Sequence, residues 1–509
     1  MNGTSLVRST VTTRLFVAGL MCVCVLLVYS GHADASLKLT ILYMNDPHAH
    51  YAPHREPGGT ALIGGFARAA ALIKEITERN RAQGRTTLIL MGGDLLTGTP
   101  FSTIWKGELG VSLMNRMQFT AMAVGNHEFD EGSEHLIRKL RPAMNFRLLS
   151  ANIVNNAGQC VFERSMVKKV PSSPTKIFIF GLTTEETPTS THPENVKGLR
   201  FLNAIASARE LLAGSSDDDL VIALAHLGVD GDKELARSCP KIDLIVGGHS
   251  HTALFQPLQV NRTLIVQAGA YAEYLGRLDL EVVDGRIAAY QGALIHLGED
   301  VQKDREISAI INRYEAGMDS RLSEVIGRTD VFLDGRLSTV RSGKESNLGR
   351  LIAFLMAQRL GTQVALLNGG AIRASLNTGD ITRGEIYTVL PFPDHPVRLN
   401  LTGKNLQAVL QRSADLRPGS GGKLQTFGVT YHTNNGNVVI DRVGNAAFNP
   451  EEIYSVAIND FLLAGGDGYT LFKEKGRDAY QSPDLTSDLL IRFAIKGKVI
   501  TSDTLVHDK

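Results

Sequence analysis

Seven side chains of the kinds that bind divalent metal ions each stand where a short hydrophobic run ends in this chain of 509 residues. Short apolar runs are typical of buried strands in an α/β sheet. Ligands on such sheets gather beyond the carboxyl ends of the strands, so residues far apart in the sequence can meet at one point. The seven residues are Asp46, His48, Asp94, Asn126, His226, His249 and His251.

The residue types in this set indicate both the metal and the reaction. Carboxylates and imidazoles together suit borderline or hard divalent cations, and the set contains no cysteine, which argues against a soft thiolate site. Seven ligands suit two ions rather than one, and the carboxylate of Asp94, central in the chain order, is the candidate bridge. Two ions about 3.5–4 Å apart can activate water and stabilise the attacking and leaving oxygens of an in-line displacement, as phosphoester hydrolysis requires.

Each of these residues also has an ordinary structural explanation when it is taken alone. Asp46 and Asp94 could be turn residues or helix caps, and a single histidine such as His226 is more often a core residue than a ligand. Two imidazoles directly after a glycine pair, in Gly247-Gly-His-Ser-His251, are harder to explain in that way. The structural explanation would place every one of the seven at a strand end by accident, so we interpret the set as a metal centre.

Length and composition describe an ordinary globular protein. The chain is long enough for two or three domains, with 43% apolar and 21% charged residues and a net charge of +1. It has no run of like charges, so a nucleic-acid groove or an anionic-membrane surface has no compositional support. Cys160 and Cys239 could pair in an oxidising compartment or remain free thiols, and the sequence leaves both alternatives open.

The first 35 residues have the pattern of a secretory signal peptide. Arg8 and Arg14 precede the apolar run 15–29, and small residues at 33–35 suit a signal peptidase. The run is short for a membrane span, so an uncleaved anchor is the less favoured alternative. We therefore expect an exported protein, periplasmic or extracellular, with no stable membrane anchor after signal cleavage.

The rest of the chain predicts two α/β regions joined by a helix. Residues 36–299 alternate strand-like and helix-like segments, as a catalytic domain of α/β class would. The segment 300–325 favours helix, with apolar residues at helical spacing, and is predicted to link the domains. A second alternating region, residues 326–509, predicts a smaller domain.

The order of the motifs resembles that of a known family. In the first region the motifs are similar to those of calcineurin-like metallophosphoesterases. Those of the second region resemble the C-terminal domain of secreted 5′-nucleotidases, the family of bacterial UDP-sugar hydrolase/5′-nucleotidase and animal ecto-5′-nucleotidase. The resemblance implies an N-terminal β-sandwich flanked by helices and a smaller C-terminal substrate-binding domain. The motifs are Asp46-x-His48, Gly93-Asp94, Gly125-Asn126-His127-Glu128, His226, Gly248-His249-x-His251, Asn368-Gly-Gly-Ala-Ile-Arg373 and Asn459-Asp-Phe-Leu-Leu-Ala-Gly-Gly-Asp-Gly-Tyr469.

The resemblance also implies roles for the candidate catalytic residues. His127 would face the phosphate and stabilise charge on the transition state or leaving oxygen, oriented by Asp130. A carboxylate partner fixes the tautomer of an imidazole and stabilises its charged form, although Asp130 could instead be a helix N-cap. One metal ion would be held by Asp46, His48, Asp94 and His251, and the other by Asp94, Asn126, His226 and His249, with Asp94 bridging.

By the same resemblance the second region would bind the substrate. Arginines would contact the phosphate, because a planar guanidinium pairs with it bidentately. One aromatic ring would stack on the base, a carboxylate would contact the nucleoside, and glycines would let the backbone approach. The residues implied are Arg341, Asn368, Gly370, Arg373, Phe461 and Asp467. Arg336 is a further candidate, for which a solvated surface charge is the favoured alternative.

Two positions depart from the family pattern. The family stacks its base between two rings, and Lys423 stands where the second ring opens a Phe-Leu-Gln segment. Phe427 could replace that ring if the loop shifts. Stacking on one ring is weaker, since each base stack contributes about 1–3 kcal/mol. The second departure is His50, where animal members have an arginine near the phosphate.

Three hypotheses follow from these residues. The leading one is an exported phosphohydrolase with two divalent ions (Zn, Mn, Mg or Co) that converts nucleoside 5′-monophosphates to nucleoside and phosphate. The alternative keeps the enzyme class, with a UDP-sugar, a nucleoside polyphosphate or a 2′,3′-cyclic nucleotide as substrate. The third is a secreted nucleotide-binding protein without catalysis. The native metal and the oligomeric state are left open.

Overall fold

The computed structural model describes residues 36–171, 173–216, 218–318, 320–496 and 499–505. The predicted signal peptide, residues 1–35, lies outside these ranges. Within them, no helix combines the length and the apolar character that a membrane crossing needs. Cys160 is exposed and Cys239 is buried, and both are free thiols.

Two six-stranded sheets pack face to face in the first half of the described chain. Their shared core is formed by aliphatic side chains from both sheets, among them Leu39, Leu90, Ile179, Leu224 and Val246. In spatial order the first sheet contains Arg286–His296, Tyr274–Val283, Leu37–Met44, Thr86–Met91, Ala121–Ala123 and Arg147–Leu149. The second contains Leu258–Val260, Thr263–Val266, Leu244–Gly247, Leu220–His226, Lys176–Thr183 and Ser165–Lys169.

The strands that precede the predicted metal ligands run parallel within each sheet. Leu37–Met44 pairs in parallel with Thr86–Met91, which pairs in parallel with Ala121–Ala123. In the second sheet Leu220–His226 pairs in parallel with Leu244–Gly247. Carboxyl ends of parallel neighbours lie at one edge of a sheet, so all the loops that follow these strands leave from the same edge.

Helices cover the outer face of each sheet. Phe66–Ala82 and Glu108–Arg116 bury their apolar faces against the first sheet, and Arg305–Ala316 packs on these two helices. Ala204–Leu212 and Gly228–Ser238 bury theirs against the second sheet. Buried apolar residues at helical spacing, such as Ile307, Ile310 and Ile311 of Arg305–Ala316, explain why these segments are helical and how they dock. The predicted fold class, an α/β sandwich flanked by helices, is confirmed.

The second half is built on a smaller five-stranded mixed sheet. Helices Asn347–Leu360 and Thr486–Ile495 pack on one side of it, and Gly403–Asp415 packs on the other. The sheet contains Leu424–Phe427, Val364–Asn368, Ile453–Asn459, Pro396–Thr402 and Arg477–Gln481. Two three-stranded sheets flank it, formed by Gly379–Thr382, Val325–Thr329 and Val499–Ile500 and by Val429–Asn434, Asn437–Val443 and Ala446–Ala447. A further helix, Arg383–Val389, precedes the loop that reaches the cavity described below.

The helix in the predicted linker is shorter than the segment 300–325. It runs over Arg305–Ala316, is capped by the Asp304 side chain, and is followed by a 3₁₀ turn, Ser320–Ser323. Its three buried isoleucines pack on the helices of the first half rather than on the second. The division of the chain at residues 299 and 325 stays a prediction.

Candidate metal centre and substrate cavity

The seven metal-type side chains come together at the carboxyl edge shared by the two sheets. Five of them have left-handed backbone conformations, with φ of 48° at Asp46, 47° at His48, 57° at Asp94, 75° at His249 and 56° at His251. A non-glycine residue rarely adopts positive φ, and such strained residues cluster at functional sites. The backbone therefore turns sharply at these five residues, which directs their side chains toward one another.

One group of side chains surrounds His48. Its Nε2 atom lies 2.9 Å from His251 Nε2, 3.9 Å from Asp46 Oδ1 and 3.7 Å from Asp94 Oδ2. His251 Nε2 is 3.5 Å from the same oxygen of Asp46. Potential ligand atoms of Asp46, His48 and His251 all lie within 4.8 Å of one another, a spacing that one divalent cation can bridge.

A second group adjoins the first through Asp94. Asp94 Oδ2 lies 3.1 Å from His226 Nε2. The Asn126 amide oxygen is 3.1 Å from that nitrogen and 3.0 Å from His249 Nδ1. The same Asp94 oxygen thus faces His48 of one group and His226 of the other, the position that a bridging carboxylate needs.

Two of the imidazoles, those of His48 and His226, donate from Nδ1 to backbone carbonyl groups. His48 Nδ1 lies 2.9 Å from the Thr97 carbonyl oxygen and His226 Nδ1 lies 2.7 Å from that of Gly92. A carbonyl accepts only from a protonated nitrogen, so each Nδ1 donates and each Nε2 is directed to the centre, where its lone pair would bind a metal ion once no proton occupies it. Burial also lowers the pKa of His48 and of His251 well below the ordinary value, which favours their neutral form.

The charges of the centre are those expected of a cation site. Burial acts to raise the pKa of Asp94, but the neighbouring His226 and His127 hold it well below its usual range, so the carboxylate is ionised. Burial acts to lower the pKa of His226, but Asp94 outweighs it and raises the pKa to about 10. A divalent cation would replace that bound proton. Donor types, tautomers and charge therefore all fit divalent metal ions.

Glu128 and two glycines fix the loops that carry the ligands. The buried Glu128 carboxylate accepts hydrogen bonds from the backbone N–H groups of Asp94, Leu95 and Gly125, at 2.9, 2.7 and 2.6 Å. A Cβ atom at Gly125 would lie 2.2 Å from Asp94 Oδ1, and one at Gly248 would lie 2.5 Å from a carbonyl oxygen of the facing sheet. Glu128 belongs to the motif Gly125-Asn126-His127-Glu128, but the sequence alone did not indicate that it supports the ligand loops.

His127 and Asp130 form a pair at the mouth of the centre. His127 Nδ1 lies 2.7 Å from Asp130 Oδ2, and the other Asp130 oxygen accepts a 2.7 Å hydrogen bond from the Thr191 hydroxyl. Both carboxylate oxygens are therefore engaged by side chains, an arrangement unlike that of a helix N-cap. Nε2 is the ring nitrogen of His127 that remains to meet a substrate.

A cavity of about 870 Å³ joins the two halves of the molecule. It is lined on one side by residues of the metal centre and by His127, and on the other by all six predicted substrate-binding residues. The latter are Arg341, Asn368, Gly370, Arg373, Phe461 and Asp467. The Asn368 amide donates to Asp467 Oδ2 at 2.8 Å, which orders that carboxylate at the cavity wall.

Two arginines face the metal centre across this cavity. Arg373 is buried, with its Nη2 atom 3.1 Å from His48 Nε2. Burial, and then repulsion from Arg373, lower the pKa of Arg341 to about 10. Among the described residues, Nε of both arginines is buried without a hydrogen-bond partner. The buried Arg373 and the partly exposed Arg341, each with an unpaired Nε donor, could together hold an anion such as phosphate.

Four other positions raised by the sequence lie outside the described lining of the cavity. Arg336 is half exposed and forms an ion pair with Asp334 at 2.6 Å, which agrees with the alternative that it is a solvated surface charge. Lys423 donates to the Ser413 and Ala414 carbonyl oxygens at the end of helix Gly403–Asp415. Phe427 packs on Phe354, with ring centroids 5.2 Å apart, so it does not replace the second stacking ring in this structure. His50 is buried beside Tyr271, with ring centroids 4.5 Å apart.

The structure adds cavity-lining residues that the sequence did not single out. Among them are Phe392 and Asp394, in the loop after helix Arg383–Val389, and Arg412 and Arg417, near the end of helix Gly403–Asp415. The sequence around these four positions has no distinctive motif or spacing and gives no signal by itself. Their importance appears only once the two halves are placed together.

Comparisons with known proteins agree with these observations. Residues 39–253 match the calcineurin-like phosphoesterase family, and residues 325–474 match the 5′-nucleotidase C-terminal domain. A 5′-nucleotidase of Vibrio vulnificus (strain CMCP6) is 30% identical over 489 residues, which cover 86% of each chain. A crystal structure of a 5′-nucleotidase precursor from Thermus thermophilus superposes with a TM-score of 0.81 at 29% identity, covering 91% of this chain and 99% of that one.

A longer protein also contains a similar region. The trifunctional nucleotide phosphoesterase protein YfkN of Bacillus subtilis (strain 168) is 31% identical over 500 residues. The match covers 87% of this chain but 33% of that protein, so the present chain spans about a third of its length.

Proposed function

Because the chain belongs to the 5′-nucleotidase family of metal-dependent phosphoester hydrolases, we propose that it hydrolyses nucleoside 5′-monophosphates to nucleoside and phosphate. The family and the enzyme class are those that the sequence motifs predicted. The observation that carries the proposed substrate is the shared cavity, in which metal ligands and His127 face Arg341, Arg373, Phe461 and Asp467. This cavity therefore offers separate groups for a phosphate and for a nucleoside.

Two divalent cations would be held by the seven ligands. We assign one cation to Asp46, His48, Asp94 and His251. The other is assigned to Asp94, Asn126, His226 and His249. The position of Asp94 Oδ2 between His48 and His226 supports this division. When bound, such cations activate water and offset the negative charge of the phosphate. The donor set suits Zn, Mn, Mg or Co and does not select among them.

The protein's own groups would orient the ester and receive its leaving oxygen. Arg341 and Arg373 pair with non-bridging phosphate oxygens, which fixes the phosphorus beside the metal ligands. His127 donates from Nε2 to the ester oxygen as the bond to phosphorus breaks, and Asp130 holds the imidazole from the Nδ1 side. At the far end of the cavity Phe461 stacks on the base, and Asp467 accepts from the nucleoside.

A wider substrate range is the second candidate function. The cavity lining also includes Arg412, Arg417 and Ser420, and neither Lys423 nor Phe427 supplies a second ring to its described lining. This room and these donors would accept a UDP-sugar or a nucleoside polyphosphate, and the same centre would open a 2′,3′-cyclic nucleotide. A binding protein without catalysis is disfavoured, because the complete ligand set and the pair of His127 and Asp130 are present.

Phosphate release together with chromatographic product analysis across a nucleotide panel tests both candidates, because cleavage of UDP-glucose or of a cyclic nucleotide frees no inorganic phosphate. We would compare AMP, UMP, ATP, UDP-glucose and 2′,3′-cyclic AMP at defined Mn, Co, Mg and Zn, with a chelator as the metal-free control. A kcat/KM highest for nucleoside monophosphates, abolished by the chelator and restored by metal, is expected. A preference for another substrate in the panel would replace the first candidate by the second, and inertness toward all of them would refute both.

Export and domain boundaries are part of the same proposal. The signal-like pattern of residues 1–35 supports secretion to a periplasmic or extracellular location, and the motifs support a catalytic domain at 36–299, a linker at 300–325 and a substrate-binding domain at 326–509. N-terminal sequencing of secreted protein should find a mature chain beginning near residue 36. A product that retains its first 35 residues would contradict the signal peptide.

A further inference from the structure

Phe392 stands between the two halves of the candidate site. It lies in the loop after helix Arg383–Val389, in the half of the chain that carries the substrate arginines. Its ring is stacked on His127, with centroids 6.0 Å apart and planes inclined by 30°. Arg373 Cζ lies 6.0 Å from the centroid of the same Phe392 ring. One aromatic side chain therefore contacts both the imidazole and the phosphate-binding guanidinium.

The other contacts of His127 leave its ring plane incompletely fixed. Nδ1 is anchored 2.7 Å from Asp130 Oδ2. The ring of His48 approaches His127 at a centroid distance of 5.1 Å and an angle of 77°. A hydrogen bond to one nitrogen restrains that atom, but the imidazole can still rock about the torsion that joins it to Cβ, which is a broad one. The Phe392 ring, stacked beside the imidazole at 6.0 Å and 30°, opposes that motion.

We propose that Phe392 is a positioning residue that aims His127 Nε2 at the leaving oxygen of the substrate. The inference rests on the proposed function, in which His127 donates to that oxygen. Arg373 contacts the same ring, so an arginine held by the substrate phosphate also restrains Phe392 and, through it, the imidazole. The phosphate-binding group and the proton donor are thus connected by one side chain.

The chemistry of the leaving group distinguishes positioning from other roles. In hydrolysis the oxygen of water forms a bond to phosphorus and gives up a proton to solvent, the bond from phosphorus to the ester oxygen breaks, and that oxygen takes a proton from His127 Nε2. His127 regains a proton from solvent before the next turnover. A ribose 5′-oxygen is a poor leaving group and needs the proton. A 4-nitrophenolate leaves as a stable anion and needs little help. Misdirection of Nε2 therefore slows AMP hydrolysis far more than hydrolysis of 4-nitrophenyl phosphate.

The test is Phe392→Leu in the full chain loaded with metal. We expect kcat for AMP to fall roughly 10- to 100-fold, because small misplacements of a catalytic group have effects of this size. KM for AMP and kcat for 4-nitrophenyl phosphate should each change by less than about 3-fold, since neither depends on the aim of Nε2. Phe392→Tyr retains a ring and should restore most of the AMP rate. If Phe392→Leu does not fold, Phe392→Met is assayed in its place.

Phe427→Leu is the matched control. Phe427 is half-buried in the same half of the molecule, but it packs on Phe354 and does not line the cavity in the described chain. Its replacement removes the same ring, so thermal unfolding of the two variants can be compared directly. It should leave both substrates' rates unchanged. Equal losses on both substrates in Phe392→Leu would show a general structural effect and would overturn the proposal.

A double-mutant cycle with His127→Ala tests whether Phe392 acts through the imidazole. In the His127→Ala background, Phe392→Leu should cause no further loss of kcat for AMP. Independent, multiplying losses would overturn the proposal, as would a change confined to KM. The substrate panel of the proposed function distinguishes failure of the proposed substrate from failure of the role proposed for Phe392. If the wild-type protein prefers another nucleotide, the proposed substrate fails, and the cycle is measured on the preferred ester with the same two outcomes.

Discussion

The metal centre and the substrate-facing wall of the cavity are built in different ways. Asp46 and Asp94 stand two or three residues beyond parallel strands and have left-handed backbones, so short covalent links to a rigid sheet position them. Arg341 instead follows a four-residue helix, and Phe461 lies on another. Phe392 lies in a loop.

The difference separates the chemistry from the specificity. A ligand set supported by two packed sheets and by Glu128 cannot move without disturbing a buried core. Side chains on short helices and loops at the cavity surface can change with little effect on the fold. We therefore expect substitutions in the metal centre to abolish the reaction and those in the wall to alter its rate or its substrate.

The largest effect is expected at the bridging carboxylate. Asp94→Asn removes the negative charge that both groups of ligands share, so the metal content should fall and phosphate release should drop on the order of 10³-fold or more, or about 4 kcal/mol in activation free energy. Metal analysis and phosphate assays measure the two effects. Asp380→Asn, on an exposed ion pair with Arg328, is the control. A variant at Asp94 that kept full activity would refute the assigned centre.

The next effect is expected at the proton donor. His127→Ala should lower kcat for AMP by roughly 10²–10³-fold, because general acid catalysis typically contributes that much. The metal content should be unchanged, since the seven ligands remain. Asp130→Asn keeps the imidazole and should cause a smaller loss. A loss of metal together with activity in His127→Ala would instead place His127 among the ligands.

A smaller effect is expected at the phosphate-binding wall. Arg373→Lys keeps the charge but loses the planar pair of donors, so kcat/KM should fall about 10- to 100-fold, in line with about 1.5–3 kcal/mol for hydrogen bonds to a charged group. Arg336→Lys, at an exposed arginine paired with Asp334, is the matched control. Equal behaviour of the two variants would remove Arg373 from the substrate site.

The smallest effects are expected at the two positions considered for base stacking, Phe461 and Lys423. Phe461→Leu should raise KM for AMP about 5- to 10-fold, since a base stack contributes about 1–3 kcal/mol. Lys423→Phe should leave that KM unchanged, because position 423 points at the helix end and not into the cavity. It should lower the unfolding free energy by about 1–3 kcal/mol through unsatisfied carbonyl groups. A lower KM in Lys423→Phe would show that the ring can reach the base.

The sequence predicted the fold class and the order of the ligands because both depend on local patterns. Apolar runs mark the strands, and a polar residue directly after a strand must lie at the sheet edge whatever the rest of the chain does. The predicted linker helix was longer than Arg305–Ala316, since apolar spacing alone does not mark where a helix ends. The support from Glu128 was also missed, because its three backbone partners lie in two separate loops.

By itself, the sequence determined which groups could bind metal, which family they belong to, and that a second region would supply arginines and an aromatic ring. Only the tertiary structure decided that Asp94 faces both ligand groups, that Lys423 and Phe427 point away from the cavity, and that Phe392 stacks on His127. The reason is geometric. The sheet fixes the Cα position of a residue at a strand end. The direction of a side chain in a loop depends instead on the packing of segments hundreds of residues apart.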